Sequence, residues 1–229
     1  MSGIQAQVAA RVRGAVALGL VPPSGAEAVP ATTLTDPAWL AELPALRSGD
    51  PRVAVTVWWY SASAVVMAPV LAGLAVGRPL SARLEDTTVF LGPGSRPVAA
   101  VSGAPDADPA GGLRECLEAV IPALAEVAGM RERPLWGIAT DSLANGLLSL
   151  GRALGDVPAV TAVAVPLARA IGSPLPEPRY TDVAGVRFVS RVSCCLVDQL
   201  PHGSTCVSCP NRLPAERQAL LESTARRFG

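Results

Sequence analysis

Hydrophobic positions along this chain recur mostly at helical spacing, with two regions of short extended runs. Residues 4–20 predict a first helix, ended by Gly19 and the pair Pro22-Pro23. A loop rich in Pro, Ala and Gly follows to Thr35, and Asp36-Pro37 suits the cap of a short helix carrying Trp39, Leu40 and Leu43. From Val53 to Gly77 no charge interrupts the apolar run. It predicts a long helix bent at Pro69, although its Val-rich start up to Trp58 also has strand character. Leu80–Leu84, Thr87–Leu91 and Val98–Ser102 are short apolar runs separated by turn residues, the pattern of a small antiparallel meander. Leu113, Cys116, Leu117, Val120, Leu124 and Val127 share one helical face, and Trp136, Ala139, Leu143, Leu147, Leu150 and Leu154 share another. Val157 to Ile171 predicts a shorter helix, though its Val-Ala alternation also fits a strand. The proline-rich stretch 174–178 marks a linker. Beyond it lie an extended run, Val183–Val192, a cysteine-bearing segment, and a final helix begun by Pro214 with Leu213, Leu220, Leu221 and Phe228 facing inward. The expected architecture is α+β. A mostly helical body with a small antiparallel sheet spans residues 1–178, and a C-terminal segment, 179–229, carries the cysteines and ends in a helix.

Composition narrows the class. At 229 residues the chain can bury a substantial core, and with half its residues hydrophobic and 17% charged it reads as globular. All nineteen basic residues are arginine, the formal net charge is zero, and no basic run occurs. An electrostatic footprint for nucleic acid is therefore absent. Arg11 and Arg13 followed by the apolar stretch 14–21 imitate a signal peptide, but that core is short and the region before it long. Val53–Gly77, flanked by Arg52 and Arg78, is long enough to span a bilayer. Its Ala, Ser and Gly content and Pro69 equally fit a core helix buried on all sides. The expectation is a soluble, cytoplasmic protein with no membrane partner.

Four of the five cysteines fall within one short stretch, Cys194, Cys195, Cys206 and Cys209, spaced C-C-x10-C-x2-C. Three chemistries compete for them. Disulfides are scarce in a reducing compartment, and adjacent cysteines bridge to each other only with strain. Structural zinc prefers two C-x2–4-C hooks; Cys206-x2-Cys209 fits, but the adjacent pair has no intervening residues, and sequence neighbours point their side chains apart. A [2Fe–2S] cluster spreads four thiolates over a longer object, for which divergent neighbours are less of a handicap. Gly203 and Ser204 would let the intervening loop turn back. Spacing alone leaves all three open.

The residues Arg-x-Ser-Cys-Cys-Leu at 191–196, the Leu-Pro-x-Gly turn at 200–203 and Cys-x-x-Cys-Pro at 206–210 resemble the C-terminal signature of FhuF-like ferric-siderophore reductases. The resemblance covers roughly residues 187–213, and family members often carry an aromatic residue where this chain has Val197-Asp198. It implies that Cys194, Cys195, Cys206 and Cys209 ligate a [2Fe–2S] cluster, making the C-terminal segment an iron–sulfur-binding unit. It also implies an oxidoreductase of iron homeostasis that transfers one electron to siderophore-bound Fe(III), releasing Fe(II). The electron would come from an external donor, a ferredoxin or a flavin-dependent reductase. No Gly-x-Gly-x-x-Gly loop is present, so nothing in the chain points to a nicotinamide or flavin of its own. The alternatives are a non-catalytic binding module with a structural zinc or iron–sulfur site, and an iron–sulfur redox sensor.

Other residues offer chemistry with plainer readings beside it. Cys116 lies on the apolar face of its helix and reads as a small buried hydrophobe. His202, the only histidine, sits in the ligand loop, where it either tunes the cluster or is an exposed loop residue; with one histidine a Rieske-type site is excluded. Trp58 and Trp59 are either core aromatics or one wall of a siderophore cleft. Arg187 and Arg191, placed on one face of an extended strand, are solvated, face an anionic ferric chelate, or offset thiolate charge.

Overall fold

Among the described residues, an aspartate with a proline one or two positions after it starts four helices. Asp36 accepts a hydrogen bond from the Ala38 N–H at the start of a short helix, and Asp50 does the same for Arg52. Asp108 caps through Gly111 and Asp156 through Ala159. Each carboxylate satisfies an N–H that has no partner within its helix, and proline occupies a position where no N–H is needed. These caps fix α2 (Pro37–Ala41), α3 (Pro51–Ala75), α4 (Pro109–Val127) and α6 (Val157–Ala162). The computed structural model describes residues 3–43 and 49–227. In chain order the remaining elements are α1 (Gly3–Ala9), β1 (Glu27–Pro30), β2 (Thr87–Gly92), β3 (Arg96–Ser102), α5 (Arg133–Leu154), α7 (Ala164–Ile171), β4 (Tyr180–Val183), β5 (Val186–Val189) and α8 (Pro214–Ala225).

The architecture is α+β as expected, with three differences in detail. The first helix stops at Ala9, and the chain turns back through Gly14 and Gly19, both at positive φ. Fully buried Gln5 holds this return: its side-chain amide donates to the carbonyls of Leu20 and Ala100 and accepts from the Ser102 N–H. The meander takes its third strand from Glu27–Pro30 rather than from Leu80–Leu84. The order is β1-β2-β3, antiparallel throughout, with Glu27 opposite Leu91 and Thr87 opposite Ser102. Leu80 makes only an isolated bridge to Pro105. β1 leaves no alternating signature because three of its four residues are exposed, and Pro30 lacks the N–H that an interior strand uses. Finally, Leu213 is 73% exposed, so of the residues expected to face inward from the last helix Leu221 is buried, while Phe228 lies outside the described residues. Val157–Ile171 is helical, as α6 and α7, and its strand reading is excluded.

The core is built on α3 and α5. The Trp59 indole N–H donates to the Leu135 carbonyl at 3.0 Å, Ser63 and Ser142 share a 2.7 Å hydrogen bond, and a Cβ at Gly146 would crowd the Leu71 side chain. Small residues at these points let two helices approach closely, and β3 covers another side of α3. α3 is the one helix, among the described residues, long and apolar enough to cross a membrane, and 67% of its most apolar window is buried inside the molecule. Its run of uncharged residues is that of a core helix.

Candidate metal centre

Helix α5 has a second occupied face. Along it, Gly137, Asp141, Ala144, Leu148 and Arg152 follow one another at three- and four-residue steps, which places them in one stripe. The C-terminal segment lies on this stripe. Arg152 donates to the Arg187 carbonyl, Leu148 and Ala144 pack with Val189, and the Tyr180 hydroxyl donates to the Ala144 carbonyl. Asp141, 1% exposed, takes the Val192 N–H on Oδ1 at 2.8 Å and the Ser193 N–H on Oδ2 at 3.2 Å. At Gly137 a Cβ would lie 2.8 Å from the Ser193 Cβ, so only glycine allows the chain to pass this close. α5 thereby fixes the two residues that immediately precede the cysteine doublet.

Arg191 turns inward from the end of β5. Its side chain is 3% exposed and its Nε donates to Asp141 Oδ2 at 3.2 Å. Its guanidinium carbon stands 4.9 Å from the centre of the Tyr60 ring, on α3. Nη1 then donates to Cys195 Sγ at 3.3 Å and Cys206 Sγ at 3.5 Å. Burial works against this charge; the Cys195 thiolate, Asp141 and Tyr60 outweigh it and hold the guanidinium above its ordinary range. Burial is also the largest influence on Asp141 and raises its carboxyl, opposed by the Val192 N–H and by Arg191.

The loop closes by a tight turn. Leu196 and His202 adopt positive φ, of 56° and 66°, and the Gly203 N–H donates to the Leu200 carbonyl. A Cβ at Gly203 would overlap the Val197 carbonyl oxygen, which explains the glycine. The second hook is held from behind by α8 and the residues leading into it. Arg212 donates to the carbonyls of Cys206 and Thr205 and pairs with Glu216, while Arg217 reaches the Cys209 carbonyl.

These constraints bring all four C-terminal cysteines together, as two pairs. Cys194 and Cys209 have their sulfurs 3.8 Å apart, and Cys195 shares a hydrogen bond with Cys206. None of the five cysteines is joined to another in this structure, and Cys116 lies apart from the four on α4. Two thiolates on one tetrahedral iron or zinc, with bonds of about 2.3 Å, stand about 3.8 Å apart. Two pairs suit two irons better than one zinc. In the Cys195–Cys206 pair, the hydrogen bond from Cys206 holds Cys195 below the ordinary thiol range, helped by the Val197 N–H and Arg191 against burial. Cys206, the donor, is held well above the thiol range. One further observation bears on the fit: among the described residues, Arg191 Nη2 is buried with no hydrogen-bond partner. A buried donor of this kind requires an acceptor, and a cluster held by these cysteines would supply one.

Residues 191–210 match the model of the FhuF 2Fe-2S C-terminal domain. The FhuF-type domain is a [2Fe–2S]-binding domain, and Cys194, Cys195, Cys206 and Cys209 fit its cysteine pattern. The match begins at Arg191, so the buried arginine lies inside the FhuF-type segment, whereas its supports Asp141 and Tyr60 lie outside it. No curated protein and no solved structure matches the chain.

The other residues singled out from the sequence are placed differently. Arg187 does not share a face with Arg191, because β5 ends at Val189 and the chain turns. Instead it makes a bidentate pair with Asp182 across the β4–β5 hairpin and donates to Thr161. Arg191 is buried against thiolates rather than presented to a chelate. Trp59 is fully buried in the core, while Trp58 donates to the Ser95 carbonyl and lines a cavity. His202 is exposed at the tip of its turn. Cys116 is 1% exposed on α4, where burial and then Glu85 push its thiol up to about 12. Asp141, Gly137 and Arg212 were not apparent from the sequence, and Tyr60, which belongs to the same aromatic patch as Trp58 and Trp59, meets Arg191 rather than a cleft. The single usable signal was one carboxylate, Asp141, within an otherwise uncharged stretch of α5.

Proposed function

We propose that the protein is a cytoplasmic ferric-siderophore reductase that transfers one electron at a time to chelated Fe(III). When bound, a [2Fe–2S] centre supplies a single electron. Cys194, Cys195, Cys206 and Cys209 would hold it, Arg191 and the Val197 N–H donate to the sulfur set, and Asp141 orients Arg191. The substrate iron needs no acid or base from the protein, because hard oxygen donors that favour Fe(III) release Fe(II) once it forms. The protein's part is to seat the chelate near the thiolates.

The observation that carries this reading is a cavity of about 760 Å³ beside the ligand loop. Trp58, Val53 and Val57 of α3 form one wall, and Leu200 and Pro201 of the ligand loop form another. Exposed Arg96 and half-buried Ser61 line both this cavity and an adjoining one of about 390 Å³. Mostly apolar walls with a few polar groups suit a chelate with organic arms, and Arg96 suits an anionic one. Tyr60, which meets Arg191, adjoins Ser61 on the same helix, so cavity and thiolates share one turn of α3. The donor would be a separate ferredoxin or flavin-dependent reductase, since the chain lacks a nucleotide-cradling glycine loop.

The test is single-turnover mixing of the reduced protein with ferric hydroxamate, catecholate and mixed chelates, with a ferrous trap present. The expected result is chelate-dependent reoxidation yielding about one Fe(II) per chain. Trp58→Ala and Arg96→Gln should raise the half-saturating chelate concentration, and Arg187→Gln should leave it unchanged. Failure with every chelate, by protein whose cluster is intact and reduced, would favour a structural role for the cluster.

A further inference from the structure

The four cysteines stand in unequal surroundings. Cys195 and Cys206 share the Arg191 guanidinium, at 3.3 and 3.5 Å. Cys194 and Cys209 receive none of the guanidinium bonds seen at sulfur among the described residues; Arg217 reaches only the Cys209 carbonyl. Asp198, the carboxylate nearest to Cys194 along the chain, is exposed. A cationic group therefore lies at one pair and not at the other. The cationic side is also the rigid one. Asp141 holds Nε, Tyr60 covers the guanidinium face, and the whole side chain is 3% exposed, so little water screens it. Exposure leaves Asp198 screened.

We propose that Arg191 directs the incoming electron to the iron held by Cys195 and Cys206, and sets how readily that iron is reduced. With four thiolates, two ferric ions and two sulfides the site carries a charge of about −2, and one electron from an external donor takes it to about −3. No bond breaks and no proton is required. The added negative charge settles where the local potential is most positive, which is the Arg191 side. Asp141 is a positioning residue here: it fixes Nε, and so aims Nη1 at the two sulfurs and leaves Nη2 for the cluster. This inference rests on the [2Fe–2S] assignment and not on the siderophore reading, and its test uses no chelate.

The localisation can be read in the unaltered protein. After reduction with dithionite, proton NMR of cysteine-labelled protein separates ligands of the ferric from those of the ferrous ion by the temperature dependence of their β-proton shifts. The β-protons of Cys195 and Cys206 should follow the ferrous pattern, and those of Cys194 and Cys209 the ferric one. The reverse assignment, or one pattern for all four, would overturn the proposal. The role of Arg191 is read separately from the reduction midpoint. Arg191→Gln should make reduction about tenfold less favourable, which for one electron is about 59 mV, and Arg191→Lys should recover most of that loss. A Gln variant that keeps its cluster and its midpoint would refute the charge role. If that variant loses its cluster, the Lys variant decides: less than a tenfold change in reduction together with the ferrous pattern kept at Cys195 and Cys206 supports the proposal, and a tenfold shift or a reversed assignment with the charge retained contradicts it.

Discussion

Asp141 carries three hydrogen bonds on its two oxygens, and each comes from one of three consecutive residues, Arg191, Val192 and Ser193. Replacing it by alanine would leave Arg191 buried without its carboxylate and two N–H groups unpaired. Breaking a buried pair of this kind costs about 3–5 kcal/mol, so Asp141→Ala should lower the thermal midpoint and release iron, with asparagine intermediate; iron content and thermal unfolding followed together check this. The cysteines separate in the same way. Serine at 194, 195, 206 or 209 should destroy or perturb the visible spectrum, whereas Cys116→Ser should leave it intact while costing about 1–3 kcal/mol for the buried hydroxyl. With its pKa pushed up to about 12 by burial, Cys116 stays a thiol at pH 8, and in folded, metal-free protein it should react with an alkylating reagent more slowly than Cys195, whose thiol the hydrogen bond from Cys206, the Val197 N–H and Arg191 hold down. The ligand set was readable in the chain because it is local: four cysteines and their flanking motifs fall within one short stretch. Spacing alone left the chemistry open, and the resemblance carried by residues 191–210 pointed to a cluster. Asp141 and Tyr60 act across long sequence separations, and one aspartate within a helix has no pattern by which to announce its partner.

At the level of elements, α5 shows why helical periodicity tells only part of the story. The stripe Trp136, Ala139, Leu143, Leu147, Leu150 marks the face toward the body. The opposite stripe of Gly137, Asp141, Ala144, Leu148 and Arg152 is mostly small or polar, yet it carries the cysteine segment. A hydrophobicity pattern cannot separate such a face from a solvated one. Gly137 gives the sharpest test. Gly137→Val would drive its side chain into Ser193 and displace the doublet, so cluster content should fall while helical circular dichroism remains close to that of the parent. Loss of helix with loss of cluster would mean that α5 itself had failed. The long helices were legible because caps and apolar periodicity agree over many residues. β1 was not, because four mostly exposed residues ending in proline fall below any strand signal. Arg187 and Arg191 were expected on one strand face, an expectation that needed β5 to continue past Val189.

For the molecule as a whole, two buried helices divide the work. α3 contributes Tyr60 to the thiolate side and Trp58 to the cavity, and α5 supplies the seat for the ligand strand. The C-terminal segment is held against this body through Asp141, Arg152 and the contacts of Val189 and Tyr180, so the body is required to shape a site whose ligands all lie outside it. Everything proposed about electron delivery depends on what the four thiolates hold. The most direct measurement is the iron, zinc and acid-labile sulfide content of the full chain purified anaerobically from iron-replete cells, with its visible spectrum before and after dithionite. Iron and sulfide should be present in equal amounts, about two of each per chain, in a red-brown protein that bleaches on reduction. Stoichiometric zinc without sulfide would contradict the account.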